Sequence, residues 1–151
     1  MTSLGVVVPA FRPDVPRLEA YLRALLEELD PAVLRVELDA ADPEVRSALS
    51  ELALPVEVNA VPHRRGKGAA VTAGFEALGT ERLAFADADG STPAAELCRV
   101  VDALESADLA VGSRRHPDAR VVGHQTVARR FLGDGFAWLA RRLLEIGRAH
   151  V

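Results

Sequence analysis

The hydrophobic positions of this chain alternate between short continuous runs and longer stretches with helical spacing. A short apolar run indicates a buried strand, whereas apolar residues at every third or fourth position indicate a helix that buries one face. The runs predict strands at 4–8, 33–38, 55–60, 82–86 and 108–112. The spaced positions predict helices at 14–29, after Pro43, at 67–78, from Thr92-Pro93 to Leu104, and at 124–145.

Strands that alternate with helices of this length are typical of βαβ units, which build a parallel sheet covered on both faces. Asp14 and Thr92 stand where N-caps are expected, and Gly79 stands where the third helix should end. We therefore predict an α/β fold, with a mostly parallel sheet and helices on both faces, in one domain over residues 1–144.

Composition narrows the class of protein. A net charge of −4 disfavours a nucleic-acid binder, and no apolar run is long enough for a transmembrane segment. The N-terminus lacks the pattern of a secretory signal. The single cysteine, Cys98, excludes an internal disulfide and fits a reducing compartment. These features predict a cytoplasmic protein.

The predicted fourth strand brings two acids to its carboxyl end. Asp87 and Asp89 follow the apolar run with one residue between them, and Gly90 turns the chain directly afterwards. Ligands of open α/β sheets bind at the carboxyl ends of the strands. Two carboxylates placed there repel each other unless a cation lies between them. Oxygen ligands suit Mg²⁺ or Mn²⁺, which in turn bind phosphate. An ordinary surface turn is the structural alternative.

Familiar nucleotide-binding motifs are missing. No GxGxxG follows the first strand, and the segment 65–68 has neither the spacing nor the hydroxyl residue of a P-loop. Residues 87–91 also resemble the Asp-x-Asp-Gly-Thr motif of haloacid-dehalogenase-like phosphohydrolases. That family carries its motif on the first strand and needs a later lysine, whereas Lys67 is the only lysine here. A phosphohydrolase is therefore kept as an alternative.

Five segments together resemble the family 2 glycosyltransferases, which have the GT-A nucleotide-sugar-binding fold. Their order along the chain is that of the family, and the resemblance is strongest to its dolichyl-phosphate hexosyltransferases. The segments are Val6-Val7-Val8-Pro9-Ala10-Phe11, Asp39, Arg65-Gly66-Lys67-Gly68-Ala69-Ala70, Ala86-Asp87-Ala88-Asp89-Gly90 and Gly112-Ser113-Arg114.

The resemblance implies a metal-dependent inverting glycosyltransferase. It would move a hexose from a nucleotide sugar, of the UDP-glucose or GDP-mannose type, to a polyprenyl or dolichyl phosphate at the cytosolic face of a membrane. Asp87 and Asp89 would hold Mg²⁺ or Mn²⁺, and Arg114 would bind the acceptor phosphate. The implied donor contacts are Pro9, Phe11, Asp39, Gly66, Lys67 and Asp87.

Two departures from the family pattern matter. Arg12-Pro13-Asp14 replaces the usual Asn-Glu after the first strand, and the family's catalytic domain continues well beyond this length. Residues 145–151 match what one frame of a sequencing adapter encodes. We therefore expect 145–151 to be a non-native tail on a C-terminally truncated chain that is inactive as a transferase. A non-catalytic nucleotide-binding fragment is the second alternative.

Overall fold

Strands and helices alternate in a computed structural model that describes residues 3–113. The strands are β1 (Leu4–Phe11), β2 (Ala32–Asp39), β3 (Val56–Ala60) and β4 (Arg82–Phe85). The helices are α1 (Val15–Glu28), α2 (Pro43–Glu51), α3 (Lys67–Leu78) and α4 (Ala94–Asp102), followed by a short 3₁₀ turn at Ala103–Glu105. The predicted helix at 124–145 and the predicted phosphate ligand Arg114 lie outside the described residues.

The four strands form a parallel sheet in the order β3-β2-β1-β4. β1 runs past Pro9, which the sequence had suggested as its end. The carbonyl of Val7 accepts a hydrogen bond from the N–H of Ala86 on the β4 side, so the nitrogen of Pro9, two residues on, faces that side as well. β4 pairs with β1 only as far as Val7, so the missing N–H of Pro9 breaks no sheet hydrogen bond.

Helices cover both faces of this sheet. Val6 and Val8 are fully buried in one core cluster with Leu18 and Leu22 of α1, and Leu97 of α4 belongs to the same cluster. Val7 points to the opposite face, where Gly74 of α3 lies so close that a Cβ there would meet the Val7 methyls at 2.6 Å. The predicted α/β class, with a parallel sheet between helices, is confirmed.

The helix ends match the sequence signals in two of three cases. The Asp14 carboxylate accepts a hydrogen bond from the N–H of Arg17 and caps α1, and Gly79 ends α3 in the left-handed conformation. The prediction that Thr92 is the N-cap of α4 was wrong. The carbonyl of Pro93 accepts the first helical bonds, from Glu96 and Leu97. Pro93 itself has an extended ψ of 147°, so the helix begins one residue later than predicted and Pro93, not Thr92, occupies the N-cap position.

The predicted fifth strand at 108–112 was also wrong. Residues 107–112 and β4 line a groove of about 670 Å³, and β4 pairs only with β1 among the described strands. Leu109 and Val111 are 78% and 70% exposed. An apolar run becomes a strand only where a neighbouring edge accepts its hydrogen bonds. Separately, none of the helices within residues 3–113 is long and apolar enough to cross a membrane.

Candidate active site

The carboxyl ends of β1 and β2 and the start of α3 enclose a cleft of about 180 Å³. Five residues predicted from the sequence to bind the donor line it together with Ala10, Arg64 and Ala70. They are Pro9, Phe11, Asp39, Gly66 and Lys67. Segments that are 26 residues or more apart in the chain therefore meet at one edge of the sheet, because parallel strands all end there.

Asp39 fastens the loop before α3 to the end of β2. Its two carboxylate oxygens accept hydrogen bonds from the N–H groups of Arg65, at 2.6 Å, and Gly66, at 2.8 Å. Burial by itself raises the pKa of Asp39, but these two bonds and the charges of Arg65 and Arg64 outweigh it and lower the pKa. Asp39 is thus an ionised anchor for the loop. Its predicted contact with the nucleotide base stays a prediction.

The loop leads into a helix start that is open to an anion. Gly66 occupies the N-cap position with φ +88°, a conformation that other residues rarely adopt, and it provides no side chain to cap the helix. The N–H groups of the first helical turn have no acceptor within the helix. Together with the helix dipole, they favour a negatively charged group at this end of α3.

Lys67, the first residue of α3, connects the cleft to β4. Its ammonium nitrogen lies 2.5 Å from Oδ1 of Asp87 and 5.2 Å from the centre of the Phe85 ring. Both partners of the ion pair are about half exposed, at 54% for Lys67 and 48% for Asp87. Screening by water keeps such a pair weak, at roughly 0–1 kcal/mol. Lys67 can therefore move from Asp87 to an incoming phosphate at little cost.

The two acids after β4 lie on a turn. The N–H of Gly90 donates to the Asp87 carbonyl, and the N–H of Ser91 donates to the Asp89 carboxylate at 2.9 Å. Across the described residues, no group of three or more His, Cys, Asp or Glu could hold a metal ion. Carboxylate oxygens nevertheless suit Mg²⁺ or Mn²⁺, which commonly take few protein ligands and complete their shell with phosphate and water.

Tyr21 of α1 lies beside this turn and was not found from the sequence. Its ring packs against Gly90, and its buried hydroxyl has no hydrogen-bond partner within residues 3–113. Burial, followed by the negative charges of Asp87 and Asp89, raises the pKa of Tyr21 to about 12. A buried hydroxyl without a partner, next to the turn that carries Asp87 and Asp89, fits a site where a cation or a polar ligand binds. A lone tyrosine on the apolar face of a helix would ordinarily count as core.

Phe11 and Arg64 line one part of the cleft, and Arg12 packs against the same ring. The guanidinium carbons of Arg64 and Arg12 lie 4.5 and 5.3 Å from the centre of the Phe11 ring. Phe11 remains 42% exposed, so its ring and the Arg64 guanidinium offer flat surfaces on which a nucleobase can stack. Arg64 was not identified from the sequence.

Comparisons with known proteins bear directly on this site. The glycosyl transferase family 2 model matches residues 6–142, which is most of the chain. The chain belongs to glycosyl transferase family 2. This membership confirms the resemblance inferred from the five segments and disfavours the phosphohydrolase alternative.

Two relatives agree with this assignment. A polyprenol monophosphomannose synthase from Mycolicibacterium smegmatis (strain ATCC 700084 / mc(2)155) is 43% identical over 101 residues. The match covers 60% of this chain and 38% of that protein. A mannosyltransferase from Pyrobaculum calidifontis, solved in complex with GDP-Man and Mn²⁺, matches with a TM-score of 0.55 at 24% identity. That match covers 66% of this chain and 31% of the other, and it confirms the GT-A fold. This chain thus spans well under half the length of either relative.

Proposed function

We propose that this chain is the donor-binding part of a metal-dependent, inverting glycosyltransferase that transfers a hexose from a nucleotide sugar to a polyprenyl phosphate. One observation carries the proposal. The start of α3, Lys67 and the acidic turn at Asp87 and Asp89 converge at the carboxyl edge of the sheet. An open helix start and an ammonium favour a diphosphate, and two carboxylates favour the divalent cation that accompanies it.

The donor is proposed to lie along the cleft with its base stacked on the surface that Phe11 and Arg64 form together. Its diphosphate then meets the start of α3 and Lys67. Mannose occurs in the names of both relatives described above, which supports a GDP-mannose-type donor over UDP-glucose. The cleft itself, at about 180 Å³, is smaller than the roughly 300–1,000 Å³ of typical ligand pockets, so it accommodates only part of such a donor.

The proposed reaction is a single displacement at the anomeric carbon. An oxygen of the acceptor phosphate forms the new bond to that carbon while the bond to the nucleoside diphosphate breaks, which inverts the configuration. A bound Mg²⁺ or Mn²⁺ would stabilise the negative charge of the leaving diphosphate as a Lewis acid. Asp87 and Asp89 would hold the cation, and Lys67 would bind a phosphate oxygen.

No general base is required for this acceptor. A phosphomonoester is largely ionised at neutral pH, because its second pKa is about 6. Alignment of the two substrates then supplies much of the rate enhancement. Arg114 is proposed to bind the acceptor phosphate through its planar guanidinium. A lipid-linked acceptor would place the protein at the cytosolic surface of a membrane.

Metal-dependent nucleotide binding tests the proposal. Asp87→Ala and Asp89→Ala should each abolish Mn²⁺-dependent binding of GDP, measured by calorimetry, while the circular dichroism spectrum stays unchanged. Glu51→Ala is a matched control, because Glu51 is an exposed acid at the end of α2 that does not line the cleft. The proposal is wrong if both aspartate variants bind GDP and Mn²⁺ as tightly as the original chain.

A direct assay separates the donors. GDP-mannose and UDP-glucose are each supplied with Mn²⁺ and a polyprenyl phosphate, and the glycolipid product is measured for the full-length protein. We expect product mainly from GDP-mannose. Product from UDP-glucose alone would overturn the choice of donor while leaving the reaction class in place.

A further inference from the structure

A second carboxylate on β2 is buried beneath the loop that forms the cleft. Glu37 is fully buried, which is unusual for an acid, and it lies two residues before Asp39 on the same face of the strand. Arg35 donates to its Oε1 at 2.7 Å, and Asn59 of β3 donates to its Oε2 at 2.8 Å. These bonds hold the Glu37 carboxylate in a fixed position within the sheet.

The same carboxylate reaches the cleft loop. The guanidinium of Arg65 donates to Oε2 of Glu37 at 2.9 Å, while the backbone N–H of Arg65 donates to Asp39. Arg65 is thus fastened to β2 at both its side chain and its backbone. The next two residues are Gly66, which occupies the N-cap position of α3, and Lys67, which lies at the proposed diphosphate site.

We propose that Glu37 is a positioning residue that fixes the start of α3 and Lys67 for the donor diphosphate by holding the Arg65 side chain. Glu37 is fully buried and lines neither the cleft nor the groove beside β4, so it acts through Arg65 and does not touch the substrate. The burial of Glu37 is explained on this basis: it receives two arginines and an amide from three separate segments. The ligand in this inference, the donor diphosphate, rests on the proposed function. The contact between Glu37 and Arg65 does not depend on that function.

The network also defines the variants for a test. Glu37→Gln keeps the side-chain shape but removes the charge that Arg65 binds, and Arg35 still has its partner Glu57 at 2.8 Å. Arg65→Gln removes the guanidinium and leaves Glu37 paired with Arg35. Neither change leaves a fully buried charge without a counter-ion. Glu57→Gln is the matched control, since Glu57 binds Arg35 on the side away from the loop.

The first measurement needs no ligand. Amide hydrogen exchange of Arg65 and Gly66 should quicken roughly tenfold in Glu37→Gln and in Arg65→Gln, because local opening of the loop becomes easier. The double variant should exchange no faster than either single variant, since both remove the same contact. Unchanged exchange in both single variants, or effects that simply add, would overturn the inference.

The second measurement connects the loop to the ligand. With Mn²⁺ present, Glu37→Gln should weaken GDP binding roughly tenfold and guanosine binding much less, because the displaced group is the one that meets the diphosphate. Glu57→Gln should bind both as the original chain does. Equal losses for GDP and guanosine would indicate a general structural role and overturn the assignment of Glu37 to the diphosphate. If the original chain binds no GDP, the proposed function is wrong. The hydrogen-exchange data then still show whether Glu37 holds the loop through Arg65.

Discussion

Two acidic pairs with identical spacing stand at the same edge of the sheet, and the protein uses them in opposite ways. Glu37 and Asp39 lie within β2 and are 0% and 5% exposed. They accept hydrogen bonds from Arg35 of the same strand, from Asn59 of β3 and from the cleft loop. Asp87 and Asp89 lie just past β4, and Asp87 is 48% exposed with one half-exposed lysine as its partner. The carboxylate oxygens on β2 are hydrogen-bonded within the protein, whereas the carboxylates after β4 are accessible to a ligand.

The length of each strand accounts for this difference. β2 continues through Asp39 and pairs on both sides, with β1 and β3, so its acids are surrounded by backbone and side-chain donors. β4 ends at Phe85 and pairs only with β1 among the described strands. The acids that follow it therefore lie on a turn at the surface. An Asp-x-Asp spacing does not define a ligand site on its own, because the donors around it decide whether the oxygens stay accessible.

The largest expected effect distinguishes the two pairs by stability. Asp39→Ala removes the acceptor of two hydrogen bonds to a carboxylate, so the free energy of unfolding should fall by about 3 kcal/mol. Asp87→Ala removes one exposed ion pair and should cost at most about 1 kcal/mol. Urea unfolding of both variants measures the difference. Equal losses would mean that the pair after β4 is as firmly bonded as the pair on β2.

A smaller effect should appear in the pH dependence of stability. The pKa of Asp39 is lower in the folded protein than its ordinary value of 3.8, so folding favours the ionised form. Its contribution is complete above the unfolded pKa and is lost as the pH falls below that value and through the lower folded pKa. Asp39→Asn should lack this contribution at all pH values.

Unfolding in urea at a series of pH values provides the check. The difference in stability between the original chain and Asp39→Asn should be largest above about pH 5 and should shrink towards acid. A difference that grows towards acid would reverse the sign and show that the folded state favours protonated Asp39.

The sequence was sufficient to predict the order of the elements and the position of the cleft. Hydrophobic runs predicted β1 to β4. The rule that parallel strands end at one edge agrees with Asp39 and Lys67 lining one cleft and with Asp87 contacting Lys67 from the end of β4. The prediction of a strand at 108–112 was wrong because apolar character shows which side chains tend to be buried. It does not show whether the segment pairs with the edge of a sheet. Pairing partners depend on tertiary structure and are not encoded locally.

The supporting residues were less predictable. Glu37 interrupts the apolar pattern of β2, and that interruption was a usable signal, because a charge two residues before Asp39 must share its face. Its partners Asn59 and Arg65 are 22 and 28 residues away, so no local pattern could identify them. Tyr21 gives no signal at all, since its position on α1 is that of an ordinary core residue.

Lys67→Met should have little effect on stability and a strong effect on binding. The Lys67–Asp87 pair is half exposed on both sides, so its loss should change the free energy of unfolding by less than about 1 kcal/mol. Loss of a charged hydrogen bond to the diphosphate should weaken GDP binding by roughly 1.5–3 kcal/mol. Calorimetry and urea unfolding on the same preparation separate the two. A large loss of stability with unchanged binding would mean that Lys67 stabilises the fold and does not bind the diphosphate.

The smallest effect is expected at Tyr21. Its hydroxyl is buried without a hydrogen-bond partner within residues 3–113, so folding removes it from water and gives it no acceptor in return. Tyr21→Phe keeps the ring that packs against Gly90 and deletes only that hydroxyl. The free energy of unfolding, measured in urea without metal or nucleotide, should therefore stay the same or rise by up to about 1 kcal/mol. A clear decrease would show that the hydroxyl is hydrogen-bonded in the folded protein, and the region after β4 would then be internally bonded in the same manner as β2.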